Sequence, residues 1–102
     1  MRITVTARHC DVVTELRERA RELVGRLGRI ARRPEDARII FGTDHGAFTV
    51  EVQLHRGGGR VFIALGSGTD HRSALDRAVA KLRRQLDKAP IRRARSVARR
   101  LR

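Results

Sequence analysis

Residues 48–65 read FTVEVQLHRGGGRVFIAL. Up to Leu54, apolar and polar residues alternate, and Phe48, Val50, Val52 and Leu54 fall on one side. That period of two marks a half-buried strand. RGGG (56–59) breaks the alternation, and RVFIAL (60–65) resumes an extended pattern, so the stretch predicts a hairpin turning at 56–59. In the second arm two sets compete for the core: Val61, Ile63 and Leu65, or Phe62, Ala64 and Gly66. The first set is larger and is assigned inward. Phe62 is then expected on the open face, beside Thr49, Glu51, Gln53 and Arg60, making that face mostly polar.

Working outward, ARIIF (37–41) reads as a strand just before the hairpin, and RITVTA (2–7) as a strand at the start, with Ile3, Val5 and Ala7 on one face. Between them, Leu16, Ala20, Leu23, Val24, Leu27 and Ile30 recur at helical spacing. Thr14 is the expected N-cap of this helix, and Gly28 and Arg33-Pro34 its end. After the hairpin, GSGTD interrupts, and Asp70 or Ser73 can cap a second helix. Its apolar positions are Ala74, Leu75, Ala78, Val79, Leu82 and Leu86, and Pro90 should stop or bend it. The order is β-α-β-β-β-α. The economical packing is an α+β fold: one four-stranded sheet with two helices packed on one face, the first helix crossing over between parallel first and second strands. Residues 1–89 form the expected domain, followed by an arginine-rich tail at 90–102.

Charge says what such a domain meets. The chain of 102 residues has a formal net charge of +13. Residues 1–51 hold 10 Lys+Arg and 8 Asp+Glu, whereas residues 52–102 hold 14 and 3. A field this lopsided favours a polyanion. On a helical wheel Arg77, Lys81, Arg84 and Lys88 form one stripe, where each like-charged pair costs about 0.2–0.5 kcal/mol. Arg19, Arg26 and Arg33 recur every seven residues on the first helix, and the two rows can border one groove suited to phosphate. The tail adds Arg92 and Arg93 among six arginines and no acid. With no Trp or Tyr and three Phe, a base-stacking sheet is not expected. Contacts should go to phosphates and sugars of structured nucleic acid.

Other chemistry finds little support. His9-Cys10 has no second pair at metal-ligand spacing, so no metal site is expected. The GGG of 57–59 is followed by a strand, so it is a turn and not a phosphate loop. No nucleophile–base or carboxylate pair is legible, and neither an enzyme nor a cofactor nor a small-molecule substrate is expected. No apolar run approaches the roughly 18 residues of a membrane span, and no secretory signal is seen. One cysteine fits a reducing cytoplasm.

Several short motifs resemble one family. MRITVTARH with TELRE (14–18), VQLH (52–55) before a Gly-rich turn, and DHRSALD (70–76) followed by KLRRQL (81–86) are similar, in order and spacing, to the ribosome hibernation-promoting factors, also called ribosome-associated inhibitor A or sigma-54 modulation proteins. The resemblance runs from Met1 to about Lys88. It implies a β-α-β-β-β-α domain, of the short form, in the messenger and transfer RNA channel of the small ribosomal subunit at the A and P sites. It also implies that Arg26, Lys81, Arg84 and Lys88 contact ribosomal RNA. The chain departs from the family after Asp70, where an aromatic usually follows in a D-M-Y-like pattern and DHRSALD stands here, and at Leu23, often basic. The expected partner is therefore the small ribosomal subunit, bound by a monomer acting as a translation inhibitor. A generic structured-RNA binder and a protein-interaction module using the open sheet face are the alternatives.

Overall fold

The computed structural model describes the backbone of residues 1–100 and the side chains through Lys88. β1 (Arg2–Ala7) is followed by α1 (Thr14–Ile30), β2 (Pro34–Asp44), β3 (Ala47–Arg56), β4 (Arg60–Gly68) and α2 (His71–Arg100). The sheet order is β1-β2-β3-β4, with β1 parallel to β2 and the other pairs antiparallel. This is the expected α+β arrangement, with α1 as the crossover.

The ladder stacks the core in rungs. Ile3, Ala37, Leu54 and Phe62 line up across the four strands, then Val5, Ile39, Val52 and Ala64, then Ala7, Phe41, Val50 and Gly66. Ala20, Val24 and Leu27 of α1 and Ala74, Leu75, Ala78, Leu82 and Leu86 of α2 cover them in one cluster. β2 is longer than its apolar run, because pairing with β3 carries it out to Asp44.

The fourth strand faces opposite to expectation. Phe62 and Ala64 are buried, while Val61, Ile63 and Leu65 are 44–53% exposed. The turn decides this. Arg56 pairs with Arg60 across Gly57–Gly59, so even-numbered residues oppose even-numbered ones, and the even face of β3 is the buried one. Small residues also suit the inward face, because α2 packs its own Ala74 and Ala78 there. The open face consequently bears an apolar row along β4, not the mostly polar surface predicted.

Three local expectations change as well, and one holds. Arg56 belongs to β3 and not to the turn. Val13, not Thr14, is the N-cap of α1 and makes no side-chain cap; its carbonyl accepts from the amides of Leu16 and Arg17, both at 3.1 Å. Asp70 does cap α2, Oδ1 accepting from the Ser73 amide at 2.7 Å. Pro90 does not stop α2, whose backbone stays helical to Arg100.

Candidate nucleic-acid interface

α2 lies along the free edge of β4 and reaches round it. Arg77 Nη1 donates to the Ser67 carbonyl at 2.6 Å, Lys81 Nζ to that of Leu65 at 2.8 Å, and Gln85 Nε2 to that of Ile63 at 2.9 Å. Four helical residues rise about 6 Å and two strand residues about 6.6 Å, so the contact repeats. On the opposite edge Arg21 Nη1 donates to the Ile3 carbonyl at 3.0 Å. Long polar side chains thus occupy edge carbonyls that would otherwise invite another strand.

Past these contacts, Lys81, Arg84, Gln85 and Lys88 line a shallow depression of 290 Å³. Lys81, Arg84 and Lys88 are exposed. Among the described residues the ion pairs are Arg19–Asp76 and Arg26–Glu22, and Asp44 lies 2.7 Å from His45, so none of those three cations has a carboxylate partner. Spacing placed Arg77, Lys81, Arg84 and Lys88 in one row. The structure divides them: Arg77 and Lys81 hold the sheet edge, and Arg84 and Lys88 project without a protein hydrogen bond among the described residues.

The α1 row divides further. Arg19 donates through Nη2 to Asp76 Oδ1 at 3.1 Å, linking α1 to α2 across their seam. Arg26 is exposed and meets Glu22 at 3.4 Å, one turn away. Arg33 is not on the helix at all. α1 ends at Ile30, and Arg33 takes a left-handed φ of 54° in the turn into β2. The residue preceding Pro34 is barred from continuing a helix, which is why the seven-residue recurrence breaks here. The side chains of Arg92 and Arg93 lie outside the described residues.

Asp70 titrates below the ordinary 3.8, chiefly because the Ser73 amide hydrogen-bonds its carboxylate, with a further contribution from the Ser73 side chain and smaller ones from Arg72 and His71. His71 itself is buried, its Nε2 lying 2.8 Å from the Gly42 carbonyl and its ring edge-on to Phe41 and Phe48. Two residues were given no site role by the sequence: Gln85, which extends the Arg77–Lys81 spacing by another four, and Arg56, which shares the even-numbered face of Leu54.

The chain is thus an α+β domain in which Lys81, Arg84 and Lys88 stand exposed on one helix without a carboxylate partner among the described residues. A family model described as Sigma 54 modulation protein / S30EA ribosomal protein matches residues 3–93. The chain belongs to that ribosome-associated family. Its fold is similar to a ribosomal subunit interface protein from Coxiella burnetii, with a TM-score of 0.78 at 22% identity, covering 89% of this chain and 99% of that one. It is also similar to the N-terminal domain of Protein Y from Thermus thermophilus, with a TM-score of 0.72 at 24% identity, covering 84% and 96%. No curated protein sequence matches the chain. No helix among the described residues is long and apolar enough to cross a membrane.

Proposed function

We propose that the protein is a cytoplasmic translation inhibitor that binds the small ribosomal subunit as a monomer and occupies the messenger and transfer RNA channel at the A and P sites. The observation that carries this reading is the depression on α2, where Lys81, Arg84 and Lys88 stand exposed with no carboxylate partner among the described residues. A protein surface gains little from such a cluster, whereas ribosomal RNA supplies the missing negative charge and releases counterions on contact. Family membership supports the ribosome as the source of that RNA. Arg26 extends the surface onto α1 and Arg77 along α2, and Arg92 and Arg93 extend it along the tail. Arg19 contributes by linking the two helices, and Arg33 by adding charge beside the β3–β4 turn. Inhibition is steric: a folded domain in the decoding channel excludes messenger and initiator transfer RNA.

Replacing Lys81, Arg84 and Lys88 together by Ala tests the surface. The three are exposed while Leu82 and Leu86 hold the core, so the variant should fold. Its ribosome affinity, measured by co-sedimentation, should fall roughly tenfold per lost contact at low salt. A folded variant that binds like the parent would remove the surface from consideration. For the mechanism, protein added to a cell-free system before initiation should inhibit strongly, and protein added to engaged ribosomes weakly. Equal inhibition would argue against occlusion.

A further inference from the structure

Arg56 is 1% exposed, yet its Nε, Nη1 and Nη2 have no hydrogen-bond partner among the described residues. It sits on the core side of β3, one rung past Leu54 and Phe62. A guanidinium holds its proton at every physiological pH, so burial cannot be relieved by neutralisation. The Phe62 ring compensates only in part, with Arg56 Cζ 5.2 Å from its centroid. The surroundings add positive charge. Arg60 lies directly across the ladder, its Cζ 5.6 Å from the same ring. The Arg33 guanidinium packs over Gly57, where an added Cβ would fall 3.0 Å from Arg33 Nε. None of the three makes an ion pair among the described residues.

Two guanidiniums thus flank one ring and a third lies over the adjoining turn; Arg56, desolvated and without acceptors among the described residues, lacks a ligand with several oxygens and a negative charge. We propose that Arg56, Arg33 and Arg60 form a phosphate site at the β3–β4 turn, taking either a free phosphate group or a phosphodiester of RNA. Access is across the turn. Gly57–Gly59 carries no side chains, and the Cβ directions of Gly58 and Gly59 point into open space. Arg60 is exposed, and its side chain is the piece that swings aside to admit an oxygen to Arg56. Bidentate arginine geometry suits a tetrahedral oxyanion. The site is built from residues other than those that line the α2 depression and stands whether or not that surface meets the ribosome.

The test follows the Arg56 Nε–H resonance of the full-length protein at constant ionic strength. It is titrated with inorganic phosphate, and separately with a blunt RNA duplex lacking terminal phosphates. A shift with phosphate assigns the free anion, a shift with duplex alone assigns the RNA backbone, and either supports the site. No shift with either overturns it. Melting supplies the second readout. Phosphate at about five times its Kd should raise the Tm by about 4 °C or more. Arg56→Met, which replaces an unpaired buried charge with an apolar side chain of similar reach, should melt no lower than the parent in chloride and lose the phosphate-dependent rise. A Met variant that keeps the rise overturns the proposal. If that variant does not fold, the resonance titration of the parent decides alone.

Discussion

Gly66 is the position where β4 and α2 touch backbone to backbone. A Cβ there would collide with the Ala74 carbonyl and come within 2.6 Å of the Ala78 nitrogen. Neither group can rotate away, so Gly66→Ala must push the helix off the sheet. We expect a loss of about 2–3 kcal/mol, read as a lower urea midpoint at unchanged slope; a midpoint within error of the parent would contradict the packing. Asp70 gives a prediction in pH. Its folded-state pKa is depressed by the Ser73 amide bond, so its contribution to stability is fully present above the unfolded value and is lost as pH falls through the lower folded one. The Tm gap between the parent and Asp70→Ala should therefore be widest at neutral pH. It should close as pH drops below 3.8, and a gap that persists in strong acid would show that ionisation is irrelevant to the cap. Both residues were partly legible in the sequence. Asp70 precedes a helical pattern by one residue, which is a local signal. Gly66 reads as the end of a strand until one knows that a helix crosses it.

At the scale of elements, the helices and the first three strands followed from period alone, because each pattern of apolar residues has only one way to face a core. The orientation of β4 did not, since side-chain volume was weighed where loop parity governs. A three-residue turn after a β3 whose even positions are inward forces Phe62 inward too. The edge contacts of α2 were hidden for another reason: a wheel shows which residues share a row but not that a strand edge lies under it. They make a prediction of their own. Changing Arg77, Lys81 and Gln85 together to Ala uncovers the Ser67, Leu65 and Ile63 carbonyls next to the exposed Val61, Ile63 and Leu65. An uncapped edge beside apolar side chains pairs with other strands, so sedimentation velocity should show concentration-dependent self-association. A variant that stays monomeric at every concentration would mean the contacts do not guard the edge.

Over the whole molecule, charge is distributed unequally, with +11 of the +13 on residues 52–102 (14 basic less 3 acidic). If the second half provides the RNA contacts, the logarithm of the ribosome association constant should fall linearly with that of salt concentration. Neutralising Arg92 and Arg93 should flatten the slope by up to about two units, at about 0.9 or less per contact. An unchanged slope would take the tail out of the contact surface. The net charge and its sidedness were plain in the sequence. Which cations remain uncommitted after folding was not, because Asp76 and the β4 carbonyls that engage Arg19, Arg77 and Lys81 come from remote parts of the chain. The carbonyl contacts of Arg77 and Lys81 also bear on the entropy of binding. Immobilising a long cationic side chain at an interface costs about 0.5–1.5 kcal/mol. In these two, one donor is already anchored in the unbound protein, and the remaining donors stay available to phosphate. Part of their rotamer freedom is therefore surrendered during folding and not on arrival at RNA. Arg84 and Lys88 have no such anchor among the described residues and must be ordered by the ligand itself. One side of the proposed surface is thus shaped before contact, and the other takes its shape from what it meets.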